Sequence, residues 1–228
     1  YTVMTFSIVA RCARTGQLAA MVASSSPAVA ARCAYARAGI GAVTTQNITD
    51  PRLGPAMLDL LARGLSAEAA LAAVQAKASH LQYRQLTAID AKGGTALFSG
   101  AHTLGVHGQA HGVNVVSAGN LLANANVPAG IVAAFEASDV ADELGARVLS
   151  AMQAGVAAGG EAGPIKSVGL VLVDKEAWPL ADLRVDWHDE PLTAMAALWD
   201  VWRPQMYDYV TRALDPSAAP SYGVPGDE

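Results

Sequence analysis

The sequence predicts an α+β fold in which two sheets are stacked between layers of helices. The chain opens with two apolar runs, 5–10 and 17–23, joined by a turn, which favours a hairpin of antiparallel strands. A second hairpin pattern surrounds the turn at 90–94, and segments of helical periodicity separate the hairpins and follow the second one. A final apolar run at 166–173 is typical of a buried strand. This order of elements predicts two sheets covered by helices.

The first strand carries the residue on which the functional hypothesis depends. Phe6 and Ile8 alternate with Thr5 and Ser7, which predicts a strand with a hydroxyl at its start. Met4 before a small residue is typical of an initiator methionine that is trimmed. Trimming leaves Thr5 with a free α-amino group of pKa about 8, able to take the proton from its own hydroxyl. The alternative is a buried strand that happens to begin with threonine.

Residues 1–3 precede Met4, either as a remnant of expression or as a short propeptide. An uncleaved Met4–Thr5 bond leaves no free amine on Thr5. A chain that still carries residues 1–4 is therefore an immature or inactive form if Thr5 is the nucleophile.

Three serines, Ser24, Ser25 and Ser26, end the second apolar run. Because antiparallel pairing returns the chain toward the start of the first strand, we expect these hydroxyls to line a site opposite Thr5. The alternative is that they satisfy backbone groups in a loop.

Polar residues also flank two later strands. Arg37 precedes an apolar strand that ends at Gln46 and Asn47, and the pair Gly119-Asn120 follows another strand. The first segment lacks both the Lys-Ser/Thr pair and the glycine spacing of nucleotide-binding loops. An asparagine at a strand end can donate to an oxyanion or a substrate, or it can be a turn residue in the left-handed conformation.

Residues that typically begin helices predict four helices in the rest of the chain. Asp50 followed by proline opens a helix and Ser66 caps the next one. Two further helices are predicted over 128–137 and 139–157, the second capped by Ser138.

Three histidines, His102, His107 and His111, suggest a zinc site, which is a weaker hypothesis than a threonine nucleophile. The i, i+4 pair would fit a helix, but glycines at 105, 108 and 112 disfavour a helix and the segment holds no carboxylate. We therefore expect no metal and no other cofactor.

Composition and charge argue against a nucleic-acid-binding protein and against a membrane protein. The 228 residues are 52% hydrophobic and 15% charged, with a net charge of −5, so a large core is expected and a nucleic-acid partner is not. No apolar run reaches the roughly 18 residues of a membrane helix and no signal peptide is visible, which predicts a cytoplasmic protein with no membrane partner. Cys12 and Cys33 lack a paired spacing, and a buried Cys33 is expected more than a catalytic one.

Four segments together resemble a known bacterial family. They are TFSIVA at 5–10, ARAGIGAV at 36–43, RQL at 84–86 and GNLL at 119–122. They are similar to the domain of unknown function 1028 family, which resembles the N-terminal-nucleophile (Ntn) hydrolases in fold. The resemblance implies a four-layer αββα sandwich and hydrolysis of amide bonds. It divides the chain into an Ntn-like domain over 5–188 and a C-terminal helical appendage with an extended tail over 189–228.

The favoured hypothesis is an amidohydrolase that cleaves a small amide, cyclic amide or imide, a C–N bond other than a peptide bond. Thr5 is the nucleophile, Asn120 holds the oxyanion and Arg37 keeps the Thr5 amine neutral. The residues expected to bind the small-molecule substrate are Ser24, Ser25, Gln46, Asn47, Arg84 and His107. The alternative is a ligand-binding or assembly module that keeps the fold without catalysis.

Aromatic residues near the C-terminus predict a partner surface. Trp199, Trp202, Tyr207 and Tyr209 are of the type that is enriched at interfaces. We expect a homodimer formed through this region.

Overall fold

The computed structural model of the protein describes residues 4–226, so the tripeptide before Met4 lies outside the described residues. Within this range the strands form two antiparallel sheets, one of six strands and one of four. The fold is therefore of mixed α and β class, as the sequence predicted. No helix in the described range is long and apolar enough to span a membrane.

The six-stranded sheet has the order β10-β9-β2-β1-β8-β7. Its strands are β1 (Thr5–Arg11), β2 (Leu18–Ser24), β7 (Gly108–Gly112), β8 (Val115–Asn120), β9 (Ser167–Val173) and β10 (Ala181–Val185). The four-stranded sheet has the order β3-β4-β5-β6. Its strands are β3 (Ala34–Arg37), β4 (Gly41–Asn47), β5 (Arg84–Asp90) and β6 (Thr95–Ser99).

Both predicted hairpins are present. β1 pairs with β2 so that Thr5 lies opposite Ser24, and β5 pairs with β6 across the predicted turn. β1 also pairs with β8, which places Asn120 on the other side of Thr5. The central strand of the sheet therefore begins between two polar neighbours.

The helices agree with the sequence except at two starts. The helix expected to open at Asp50 begins at Leu53 with Arg52 as its N-cap, and Asp50 instead accepts from the Arg52 N–H over 3.1 Å in the turn before it. They are α1 (Ala30–Cys33), α2 (Leu53–Ala62), α3 (Ala67–Gln75), α4 (Val127–Ala137), α5 (Leu144–Ala157), α6 (Pro191–Trp202) and α7 (Met206–Leu214). Ser66 caps α3 as predicted, by accepting from the backbone N–H of Ala69. The expected start of α5 at Asp139 is wrong, because α5 begins at Leu144. Ser138 instead donates to the Phe135 carbonyl and so closes α4.

Three apolar clusters hold the elements together. The first packs one face of the six-stranded sheet against α4, α5 and α6, and it includes Phe6 and Met152. The second joins residues of both sheets, such as Val9 and Ile89. The third packs the four-stranded sheet against α2 and α3, around Met57. Residues 5, 7 and 9 of β1 thus face a different cluster from residues 6, 8 and 10, as the period of two requires.

The C-terminal segment shares the first of these clusters. Trp199 of α6 is 3% exposed, and its ring lies over Gly145 of α5, where a Cβ would come within 2.2 Å of the ring. Its expected role as an interface anchor is therefore wrong, since the ring is buried within its own chain. Trp202 is half-buried and donates to the Leu180 carbonyl over 3.1 Å.

We expect Trp199→Ala to lower the free energy of unfolding by about 3–5 kcal/mol, because it leaves a ring-sized cavity in the core. The measurement is denaturant unfolding of the full chain. Thr193→Ala, at an exposed site near the start of the same helix, is the matched control and should lower stability by less than about 0.5 kcal/mol. Equal effects of the two substitutions would contradict this packing.

Candidate active site

Thr5 begins β1 with its side chain between those of two neighbouring strands. Residues directly opposite each other in an antiparallel pair point to the same face, so Thr5, Ser24 and Asn120 share one face of the sheet. Thr5 is 4% exposed. The structure therefore brings together the predicted nucleophile, one predicted binding residue and the predicted oxyanion donor.

A chain of hydroxyl groups runs from Thr5 into the loop after β2. The Oγ1 of Thr5 lies 3.1 Å from the Oγ of Ser24, which lies 2.8 Å from the Oγ of Ser26. The Ser24 hydroxyl also bonds to the Met4 carbonyl. A carbonyl oxygen only accepts, so the one Ser24 hydrogen goes to Met4. It follows that the Thr5 hydroxyl donates to Ser24.

The cation at this hydroxyl chain is Arg32 of α1. Its Nη2 donates to the Ser26 hydroxyl over 2.5 Å, and its Nη1 donates to the Pro27 carbonyl over 2.8 Å. The predicted cation, Arg37, lies instead at the far end of β3, where it forms an ion pair with Asp59 at 3.0 Å. The structure therefore separates Arg37 from the other predicted site residues.

Met4 closes the site. Its backbone N–H donates to the Ser25 hydroxyl over 2.9 Å, and its carbonyl accepts from the Ser25 N–H over 3.3 Å. The residue is 4% exposed, and the end of its side chain lies against Gly163, where a Cβ would come within 2.5 Å of the methyl group. The Thr5 hydroxyl is thus shielded from solvent while Met4 is attached.

Two buried amide side chains, Gln46 and Gln85, lie between the sheets beside Asn120. Gln85 Oε1 accepts from Gln46 Nε2 over 2.7 Å and from Asn120 Nδ2 over 3.1 Å. The Oδ1 of Asn120 and the Oε1 of Gln46 are buried without a hydrogen-bond partner. Such atoms are costly in an apolar core, and they are typical of sites that a ligand completes. Asn120 is part of β8 and the left-handed residue is Leu121, so the turn alternative for Asn120 is wrong.

The other predicted binding residues lie outside this cluster, at the end of β4, at the start of β5 and in the loop before β7. Asn47 holds the loop ahead of β7 by accepting from the Leu104 N–H over 3.1 Å, and Arg84 donates to the Ile48 carbonyl. His107 is exposed, with its Nδ1 3.1 Å from the Gly105 carbonyl. Their part in substrate recognition stays a prediction.

The geometry supports neither Cys33 as an alternative nucleophile nor a zinc site at the three histidines. Burial raises the pKa of the Cys33 thiol, which disfavours the thiolate needed for nucleophilic attack. His102 stacks against Tyr83 with ring centroids 4.9 Å apart. Among residues 4–226, no group of three histidine, cysteine or carboxylate side chains is arranged to hold a metal ion.

Glu161 is a site residue that sequence reasoning missed. The chain leaves α5 through Gly159 and Gly160, both with positive φ, and returns to form a β-bridge between Glu161 and Leu122. The Glu161 side chain is 6% exposed, and neither of its oxygens has a hydrogen-bond partner within normal geometry. Burial raises the pKa of Glu161 to about 9, against a smaller lowering by the backbone and hydroxyl of Ser25. A glutamate after two glycines reads as a surface-loop residue, so no local signal marks it.

Glu161 also lines an open pocket of about 400 Å³ between the end of α5 and the start of α6. Asp189, Glu190 and Gly163 line the same pocket. Asp189 is paired with Lys166 at 2.5 Å. Gly163 touches the end of the Met4 side chain and also lines this pocket, so the pocket adjoins Met4 at this glycine.

Together these features define an α+β protein with a buried threonine, serine and asparagine cluster at the start of its central strand. The chain belongs to a family of unknown function, DUF1028, whose family model matches residues 5–195. The match begins at Thr5 and includes the start of α6. No curated protein matches the chain.

Solved structures support the assignment. The crystal structure of protein SPO2555 from Silicibacter pomeroyi, of the DUF1028 family, is similar with a TM-score of 0.80 and 28% identity, over 87% of this chain and 88% of that one. Anbu (ancestral β-subunit) from Yersinia bercovieri is matched at a TM-score of 0.38 and 10% identity, over 89% of this chain and 96% of that one. The second value is too low to support an argument.

We expect Glu161→Gln to stabilise the protein at pH 8 and to have less effect at pH 5. Between the unfolded pKa near 4.5 and the folded pKa near 9, the folded state holds a proton that the unfolded state has lost. The free energy of unfolding therefore falls as the pH rises through this window, and glutamine removes that loss. The measurement is denaturant unfolding at both pH values. Glu68→Gln, on the exposed side of α3, controls for the loss of a charge, and an equal gain there would contradict the assignment.

Proposed function

We propose that this protein is an amide hydrolase of the N-terminal-nucleophile type, with Thr5 as its nucleophile once Met4 has been removed. The observation that carries the proposal is the position of the Thr5 hydroxyl at the start of the central strand, 3.1 Å from Ser24 and beside Asn120. A threonine placed there gains, on removal of Met4, an amine next to its own hydroxyl. That pair is the activated nucleophile that amide hydrolysis needs.

The packing supports the finer description of the fold. One cluster lies between the helices α4, α5 and α6 and the larger sheet, one joins the two sheets, and one lies between the smaller sheet and the helices α2 and α3. This order corresponds to four layers, helices, sheet, sheet and helices, as the Ntn-like sandwich requires. Fold alone does not fix an activity, so the site has to carry the function.

The reaction proceeds through an ester. The Thr5 amine accepts the hydroxyl proton as Oγ1 bonds to the carbonyl carbon, and the C–N bond then breaks as that proton passes to the leaving nitrogen. Water adds to the ester carbon, giving its proton to the Thr5 amine. The ester C–O bond breaks and the proton returns to Oγ1. The net change is amide plus water to acid plus amine, with no oxidant and no cofactor.

Neighbouring groups assist each charge that develops. Asn120 Nδ2 has two hydrogens, and among residues 4–226 it donates only to Gln85, which leaves one N–H for the oxyanion. One such donor contributes about 3–4 kcal/mol to a transition state of this kind. Arg32, linked to Thr5 through Ser26 and Ser24, favours the neutral form of the amine.

One observation favours a second candidate, a non-catalytic binding or assembly module. Met4 is buried, and its N–H and carbonyl both form hydrogen bonds with the loop after β2. A residue so well accommodated can be a permanent part of the fold. The mass of the N-terminal peptide of the purified protein separates the candidates, because only the enzyme requires a chain that begins at Thr5.

In a chain that begins at Thr5, we expect Thr5→Ala to abolish hydrolysis of small amides and imides and Thr5→Ser to retain a measurable fraction. Serine keeps both the hydroxyl and the amine, whereas alanine keeps only the amine. The readout is turnover across a panel of small amides, cyclic amides and imides.

Ser7→Ala is the matched control. Ser7 lies on the same strand and the same face as Thr5. Its Oγ is 3.1 Å from the Oγ1 of Thr44, which equals the distance between the hydroxyl oxygens of Thr5 and Ser24. Both alanine variants should lose about 1 kcal/mol of stability, since each loses one buried hydrogen bond, but only the Thr5 variant should lose turnover. Undiminished turnover in Thr5→Ala would rule out the nucleophile.

We further propose that the protein forms a homodimer through its C-terminal region. Val201 is 63% exposed, and Tyr207, Tyr209 and Tyr222 are exposed large side chains of the same segment. We expect Val201→Lys to lower the molar mass measured by light scattering toward that of a monomer, because a buried lysine opposes association. A monomeric wild-type chain at micromolar concentration would end this proposal.

A further inference from the structure

Met4 marks a subsite beside Thr5, because the groups that hold it are those that recognise an acyl group with a nearby nitrogen. Its carbonyl accepts from the Ser24 hydroxyl and from the Ser25 N–H, and its own N–H donates to the Ser25 hydroxyl. Removal of Met4 takes all three of these partners away. A ligand that restores them needs a carbonyl and a nitrogen donor one carbon apart.

Glu161 gives this subsite a preference for a cation, because an ammonium group beside the buried carboxyl favours its ionised form and the carboxyl releases its proton when the cation binds. The carboxyl interacts with Ser25, the same residue that binds the Met4 nitrogen, and its oxygens are otherwise unpartnered. A buried carboxylate with so few partners is destabilising, and a cation is the partner that relieves this cost most. Asp189 is mostly exposed and already paired with Lys166, so it offers little selectivity of its own.

The open pocket gives a route to this position. Gly163 separates the end of the Met4 side chain from the pocket that Glu161 lines, and the pocket volume of about 400 Å³ is in the range of small-molecule sites. Removing Met4 vacates the space beside Thr5, and the pocket adjoins that space at Gly163.

We propose that the space filled by Met4 is the acyl subsite of the enzyme and that Glu161 makes it selective for amides whose acyl half carries an α-ammonium group, that is, amides of α-amino acids. This inference rests on the proposed function and names its substrate class. The carbonyl contacts Ser24 and the Ser25 N–H, and the ammonium lies between the Ser25 hydroxyl and Glu161. The pocket accepts the side chain of the amino acid.

The test compares two probes that differ only in the amine. They are L-methioninamide, whose side chain is that of the departing residue, and 4-(methylsulfanyl)butanamide, which lacks the α-amino group. Binding to a chain that begins at Thr5 and carries Thr5→Ala is measured by calorimetry at pH 7, so that no turnover is needed. At this pH most α-amino groups of pKa about 8 are protonated.

We expect methioninamide to bind at least tenfold more tightly than its analogue, and Glu161→Gln to remove this preference while the analogue binds unchanged. Asp189→Asn, which removes a carboxylate of the same pocket, is the control and should preserve the preference. Equal binding of the two probes, no binding of either at millimolar concentration, or an unchanged preference in Glu161→Gln would each overturn the proposal.

Turnover by the chain with Thr5 intact keeps the two proposals apart. Selective binding of methioninamide without hydrolysis of any amide would support the subsite and refute the nucleophile. Hydrolysis of the amine-free amide at the same rate as methioninamide, with no difference in binding, would support the nucleophile and refute the subsite.

Discussion

The hydrogen bond between the Ser24 hydroxyl and the Met4 carbonyl decides the state of the whole site. A serine has one hydrogen to give, and while Met4 is present that hydrogen is committed to a carbonyl that only accepts. The Thr5 hydroxyl must then donate to Ser24. Loss of Met4 would release the Ser24 hydrogen and create the Thr5 amine in the same event, so that one peptide bond controls both the base and the polarity of the hydroxyl chain.

The region between the sheets shows how the fold tolerates such a site. Beside the apolar residues of the inter-sheet cluster lie buried amides, with Gln85 accepting from both Gln46 and Asn120. Further along the same face, Ser7, Thr44 and Thr87 form a second chain of hydroxyls. Buried polar groups that are hydrogen-bonded to each other lower the folding stability little, whereas the unpaired oxygens of Gln46 and Asn120 lower it more. The unpaired atoms lie at the Thr5 end, where a ligand would enter.

Glu161 is a further buried polar group that costs the folded state stability. Its burial without a cationic partner is unfavourable for the folded state at neutral pH, and nothing in the packing requires a carboxyl there. The β-bridge to Leu122 and the two preceding glycines fix its backbone, and its carboxyl interacts with Ser25 of the loop that holds Met4. Residues that destabilise a fold while pointing at a reactive cluster are typical of functional sites.

The sequence by itself determined the parts of this protein that depend on local patterns. Alternation over residues 5–10 predicted β1, the hairpin placed Ser24 opposite Thr5, and Ser66 was recognised as a helix cap, because periodicity and capping act within a few residues. Tertiary structure decided the rest. Arg32 and Arg37 look equivalent in the sequence, yet α1 brings the first to the hydroxyls and β3 carries the second to Asp59.

Long-range packing also decided which residues are buried. Trp199 has the composition signal of an interface, but its ring fills the space above Gly145, a contact that no pattern near residue 199 encodes. Glu161 reaches the site from a loop more than 150 residues after Thr5, and only the folded chain shows that its carboxyl lies in the core without a partner. Chemistry that depends on burial is set by the neighbours that the tertiary structure brings together, and these neighbours are distant in the sequence.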